Sequence, residues 1–164
     1  MHGFAAQKEG HTILLIGPSG SGKTTAGMAL LKNGWRFLAN DVILLTGNSI
    51  QIYPTFDQIR VRQGTIDLLC EEGVHLEELP IRFGQTRKVT AVYLVQLQPN
   101  RQTQLSPLTT PLAFVKLIES SVDHWDTSQL PAHLSFLRRL CEETAVFNLH
   151  SGKDIHNLSD LIKR

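Results

Sequence analysis

The stretch that decides the reading is Ile13-Leu14-Leu15-Ile16-Gly17-Pro18-Ser19-Gly20-Ser21-Gly22-Lys23-Thr24, continued by Thr25-Ala26-Gly27-Met28-Ala29-Leu30-Leu31-Lys32. Four apolar residues read as a buried strand, a glycine-rich turn follows, and a helix-forming segment closes the unit. That is the context in which the pattern GxxxxGK[ST] describes a phosphate-binding loop. Glycines at 17, 20 and 22 allow backbone conformations closed to other residues, so successive amide N–H groups can turn inward on an anion. The start of the following helix adds its partial positive charge. Lys23 can reach the outer phosphates, and the Thr24 hydroxyl can coordinate magnesium. A Gly/Ser linker matching by chance would lack both flanks. The expected nucleotide-binding set is therefore Gly17, Pro18, Ser19, Gly20, Ser21, Gly22, Lys23, Thr24 and Thr25, with ATP or another nucleoside triphosphate and Mg2+ as ligands.

Working outward, Gly3–Gln7 reads as a short strand, and Lys8-Glu9-Gly10 as a tight hairpin turn into Thr12–Ile16. The helix after the loop spans about Lys23–Lys32 and stops at Asn33-Gly34, a left-handed C-cap pair. Trp35–Ala39 is a second strand ending at Asn40-Asp41, Val42–Leu45 a third, and Ile50–Tyr53 a fourth. Ile59–Arg62 alternates apolar and basic residues as an edge strand would. Thr65–Glu72 is a candidate helix. Leu76–Leu79 is short and acidic, and Arg82–Lys88 reads as a basic connecting loop. Val89–Leu97 is the longest strand signal, and Pro99–Gln104 a surface turn. Pro111–Ser121 and Ser135–Glu143 read as helices joined by a loop over Val122–Leu134. Ala145–Leu149 is a last strand and Ser159–Arg164 a terminal helical turn. Hairpin-like strands after the first helix argue against a purely parallel sheet. The expected fold is α/β, a single domain over residues 1–164 with a mixed sheet, largely antiparallel in its additions, and helices packed on it.

A length of 164 residues suits one domain, and 41% hydrophobic with 19% charged residues is a globular composition. The net charge of +1 gives no global field for nucleic acid or a membrane surface, so neither is expected as a partner. Cys70 and Cys141 form no CxxC pair and read as small buried hydrophobes in a reducing compartment. No apolar run approaches the roughly 20 residues of a membrane helix. No secretory signal pattern is visible, and the expected location is the cytoplasm.

His2-Gly3, the strand, the loop and Gly34-Trp35-Arg36-Phe37-Leu38-Ala39-Asn40-Asp41 together resemble the catalytic domain of HPr kinase/phosphorylase. The match covers Met1–Leu45. A looser one covers Phe147-Asn148-Leu149-His150-Ser151-Gly152-Lys153-Asp154 and Leu161-Ile162. What sets this resemblance apart from other phosphate-loop families is the polar pair arriving only about 17 residues after Lys23. It implies an ATP- and magnesium-dependent kinase acting on a serine of a protein or peptide, with ring assembly making a homo-oligomer possible. It also implies catalytic roles for Lys23, Asp41, Asn40 and His2, with Thr24 and Asp41 on the metal. Two departures stand out. The family's first aspartate, its proton-accepting base, is Asn40 here. The family's Glu-x-Arg-Gly segment has no clear counterpart, Gln58–Gly64 being the nearest string. A divergent, small standalone member is what the resemblance implies.

The residues leave alternatives open. Asn-Asp is also ordinary turn chemistry, which would make Asp41 a cap between strands. An amide at 40 can hydrogen-bond a hydroxyl or a phosphate oxygen but cannot accept a proton. His2 is either a supporting histidine or part of a mobile terminus. Arg60, Arg62, Arg87 and Lys88 are candidate phosphate or acceptor contacts, or else solvated edge and loop residues. His124 and His133 have no metal-ligand spacing. A catalytically impaired nucleotide-binding regulatory module and a small-molecule kinase therefore stand beside the serine kinase.

Overall fold

In the computed structural model the residues described are 1–46, 49–55, 59, 61, 63–70, 83–121 and 127–162. Strand β1 (His2–Lys8) turns through Glu9 (φ 49°) and Gly10 (φ 87°) into β2 (His11–Ile16). Two consecutive left-handed residues give the turn whose twist suits a two-residue hairpin. After the glycine-rich loop comes α1 (Lys23–Lys32), whose bounds are those expected. Its end is closed by Asn33, with Gly34 left-handed at φ 80°.

The chain continues through β3 (Arg36–Val42), β4 (Leu44–Leu45), β5 (Gln51–Tyr53) and α2 (Gln63–Cys70). Next come β6 (Arg87–Lys88), β7 (Ala91–Leu97), β8 (Gln104–Pro107), α3 (Thr110–Ser121), α4 (Leu130–Glu143), β9 (Ala145–Ser151) and α5 (Leu158–Ile162). The main sheet has the order β3-β1-β2-β7-β9-β8, and β4-β5-β6 form a smaller one. Within the main sheet β2, β7 and β9 are parallel, while β1, β3 and β8 add antiparallel pairings. This is the mixed α/β sheet the hairpin signals imply.

The sheet is covered on both faces. Phe4, Leu15 and Tyr93 pack with Leu30 of α1 and Leu158 of α5 on one side. Leu14, Ile16 and Val92 pack with Leu117 of α3 and Leu137 and Leu140 of α4 on the other. Gly27 lets α1 seat directly on β1, because a Cβ there would stand 2.5 Å from three atoms of the Phe4 ring. Cys141 is buried in the second core, and burial, helped by Glu142, pushes its thiol up to about 11.

Several expectations need correcting. Asn40 and Asp41 do not end their strand, since β3 runs through them to Val42, and only Leu44–Leu45 forms the next one. Ile59 and Val61 lie in no strand; they pack against the α1-side core instead. α4 begins at Leu130 rather than Ser135 because Pro131 occupies its first turn, where a missing N–H costs nothing. β8 was not read from the sequence, only its first residue Gln104 falling in the expected Pro99–Gln104 turn; its backbone finds β9 across the fold. Leu76–Leu79, Arg60, Arg62 and His124 lie outside the described residues. No helix among the described residues is long and apolar enough to cross a membrane.

Candidate active site

Four strands finish at one edge of the sheet. β1 is antiparallel to both β2 and β3, so β3 runs in the same direction as β2, as do β7 and β9. The crevice beyond the carboxyl ends of such strands is where ligands bind in open α/β sheets. The glycine-rich loop leaves β2 at this edge.

Within the loop, Gly20 (φ 83°) and Gly22 (φ 93°) hold left-handed conformations, and Gly22 caps α1 by accepting Ala26 N–H at 2.9 Å. Gly17 is required for a different reason. A Cβ there would lie 2.8 Å from Val95 O and 2.8 Å from Ser21 Oγ. Lys23, 7% exposed, folds its ammonium back to donate to Gly17 O at 2.8 Å and Pro18 O at 2.8 Å. Ser21 Oγ is buried with no hydrogen-bond partner, a polar atom left unsatisfied inside the loop. Thr24 is partly exposed on the first turn of α1. The Thr25 hydroxyl shares a 2.7 Å hydrogen bond with Thr65 of α2.

Asn40 and Asp41 reach the same edge on β3, but β1 intervenes between β3 and the strand carrying the loop. Asp41 pairs with Gly3, and Gly3 with Ile16. Two strand spacings therefore separate Asp41 from the root of the loop, about 10 Å.

A register shift between Ala5 and Ala6 puts one extra residue into β3. Without it, Gly3 would face Asn40; with it, Phe4 does. Paired residues share a face, so the bulge turns Asn40, 2% exposed, toward the α1 side that Phe4 occupies. Asp41 is exposed and left-handed at φ 63°, a conformation that aspartate tolerates better than most residues.

His2 is exposed on β1 and pairs with Val42, so it stands on the ladder next to Asp41. It does not belong to a loose end, because Met1 is tied to Ile43 through N-terminal and backbone hydrogen bonds of 3.1 and 2.8 Å. Of the basic candidates, Lys88 is on the small sheet and pairs with Glu143 at 3.4 Å.

Two features were not read from the sequence. The parallel neighbour of the loop strand is β7, which ends its buried run Ala91–Val95 in exposed Gln96. Five apolar residues before a polar one were a signal for this, masked by the length of the Val89–Leu97 run. The second is a cavity of about 290 Å³ between the root of the loop and α3. Its floor is Ile16 and Leu94, its loop wall Gly17 and Pro18, and its polar groups come from Gln96, Lys116, Glu119 and Ser120. Such a volume is at the small end for ligand sites. Nothing local marks α3 residues as neighbours of the loop, so Lys116 and Glu119 could not be found from spacing.

The residues present fit a magnesium ion. Thr24 and Asp41 are hard oxygen donors at one edge, and among the described residues no group of three or more His, Cys, Asp or Glu could hold a metal by itself. A site completed by phosphate oxygens and water suits magnesium rather than a metal held wholly by protein.

No family model matches the chain. HPr kinase/phosphorylases of Burkholderia cenocepacia (strain HI2424), Burkholderia multivorans (strain ATCC 17616 / 249) and Paraburkholderia phymatum are each 30% identical to it over 113 residues. The aligned part is 66% of this chain and 34% of each relative, so the chain spans about a third of the length of the curated relatives it matches. The solved HPr(Ser) kinase/phosphatase of Coxiella burnetii superposes with a TM-score of 0.40 at 16% identity, covering 87% of this chain and 92% of that one. That likeness is too loose to bear on the fold. On the shared sequence, this chain is similar to the HPr kinase/phosphorylases over part of their length, which supports an HPr kinase-like family.

Proposed function

We propose that the protein transfers the γ-phosphoryl group of ATP, with magnesium, to a serine hydroxyl of a protein or peptide. One observation carries this reading. A glycine-built loop at the start of α1 holds a buried unsatisfied hydroxyl, Ser21, beside a buried lysine, at the same sheet edge as a carboxylate. On this reading the loop amides and the start of α1 bind the phosphates. Lys23 exchanges its two loop carbonyls for phosphate oxygens and neutralises charge that develops in transfer. Magnesium, held from Thr24 and through water from Asp41, would add to that neutralisation. Asn40 can orient a hydroxyl or a phosphate oxygen from the α1 face but cannot take a proton. Because transfer passes through a loose transition state, strong basicity is not required.

The amide at 40 also favours a second reading, a module that binds ATP without transferring it. Incorporation of labelled γ-phosphate into HPr or serine-containing peptides separates the two. For a kinase, Asp41→Asn should slow transfer about a hundredfold, the upper end for a residue that positions a metal's water. ATP affinity should hold, and Asn40→Asp should leave the rate level or raise it. Transfer that Asp41→Asn leaves untouched refutes the mechanism. Tight ATP binding with no transfer in any variant favours the binding module.

A further inference from the structure

We propose that the cleft between the root of the glycine-rich loop and α3 receives the acceptor hydroxyl, and that Glu119 takes its proton. This rests on the kinase reading above. Phosphoryl transfer places the attacking and leaving oxygens roughly in line. On that reading the leaving diphosphate is held at the start of α1, against the sheet face that carries Phe4 and Leu15. The nucleophile then approaches from the opposite side. The cleft opens there, because its floor residues Ile16 and Leu94 belong to the face packed by α3 and α4.

The cleft also supplies what Asn40 lacks. The carboxylates Asp154, Asp41 and Glu119 are not equivalent. Asp154 accepts the Thr103 backbone N–H at 2.5 Å and is committed to the β7–β8 turn. Asp41, exposed as Glu119 also is, lies on β3, two strands from the loop strand. Glu119 lines the same cavity as Gly17 and Pro18, and it is engaged in no ion pair with a described residue. Lys116, one turn earlier on α3, is likewise unengaged and adds a cation to the wall. The apolar floor accommodates the Cβ of a serine, Gln96 offers hydrogen bonds to its flanking peptide groups, and Ser120, whose hydroxyl donates to Lys116 O at 2.8 Å, can accept one.

The step balances without a further reagent. The acceptor oxygen forms a bond to the γ-phosphorus. The bond from that phosphorus to the β,γ-bridging oxygen breaks, and ADP leaves with the electron pair. The hydroxyl proton passes to the Glu119 carboxylate.

The test uses the full chain, ATP with magnesium, and two acceptors: HPr and water, the latter read as basal ATP hydrolysis. Glu119→Gln should lower kcat at least about a hundredfold, the lower end for a general base. Its calorimetric Kd for ATP should stay within about twofold, since the loop amides and Lys23 are untouched. Gln96→Trp, a bulky side chain at the mouth, should raise KM for HPr at least about tenfold with ATP affinity unchanged. A reading independent of turnover is acetylation of Lys116 by acetic anhydride, followed by mass spectrometry; bound HPr should protect it. Glu119→Gln with unchanged rates on both acceptors overturns the proposal while leaving the kinase reading standing. Absence of any turnover in wild type with ATP bound overturns both.

Discussion

Replacing Lys23 by alanine tests the loop in both of its states. In the structure the ammonium donates to Gly17 O and Pro18 O, each at 2.8 Å, from a side chain only 7% exposed. Hydrogen bonds from a charged donor contribute about 1.5–3 kcal/mol, and desolvation of the ammonium offsets part of that, so the apo protein should lose about 1–3 kcal/mol. For a chain of this size that lowers Tm by roughly 2–12 °C. The nucleotide effect is separate. ATP at about 100 times the wild-type Kd stabilises the folded state by about 2.7 kcal/mol, or roughly 5–11 °C. Losing one charge-assisted contact to phosphate costs about 1.5–3 kcal/mol, a Kd weaker by about 10- to 150-fold. At the same ATP concentration the mutant's gain should fall to about 0.3–1.4 kcal/mol. Adenosine, which carries no phosphate, should bind both proteins equally. Scanning calorimetry with and without ATP and magnesium reads all of this. A mutant that keeps the full ATP-induced shift refutes the assignment of the loop to phosphate.

Two further outcomes follow from the packing and electrostatics. Gly27→Ala drives a methyl into the Phe4 ring, which is fully buried and stacked edge-on to Phe37 at 5.6 Å. Overpacking of about 1–3 kcal/mol outweighs the roughly 1 kcal/mol gained in helix propensity, so chemical denaturation should show a net loss of up to about 2 kcal/mol; a stabilised variant would show that α1 is not seated on β1 as described. Asp154 should contribute to acid lability. Burial pushes its carboxyl up, but hydrogen bonds from the Thr103 backbone and hydroxyl outweigh that and hold it below the usual carboxylate range. A depressed folded-state pKa gives stability that is present above the unfolded value and lost as pH falls through the folded one, below about 4. Asp154→Asn should flatten the pH dependence of Tm in that range, and an unchanged slope would contradict the Thr103 contact.

What the sequence by itself determined was local. The β1–β2 hairpin, the glycine-rich loop and α1 with its Asn33-Gly34 stop were legible because each rests on neighbours within a few residues: turn chemistry at Glu9-Gly10, backbone freedom at Gly20 and Gly22, a left-handed cap at Gly34. The family resemblance rested on the same stretch, and its partial match to relatives supports it. Only the tertiary structure decided which strands lie beside the loop. Strand order is set by burying surface between segments far apart in the chain, so β1 comes between β2 and β3, and β7, some 75 residues on, becomes the parallel neighbour. The direction of Asn40 was equally hidden. A pleat alternates faces residue by residue, and one bulge near Ala5 reverses every side chain after it. The cleft on α3 has no sequence signature, since Lys116 and Glu119 meet Gly17 and Pro18 only because the helix packs against the sheet's far face.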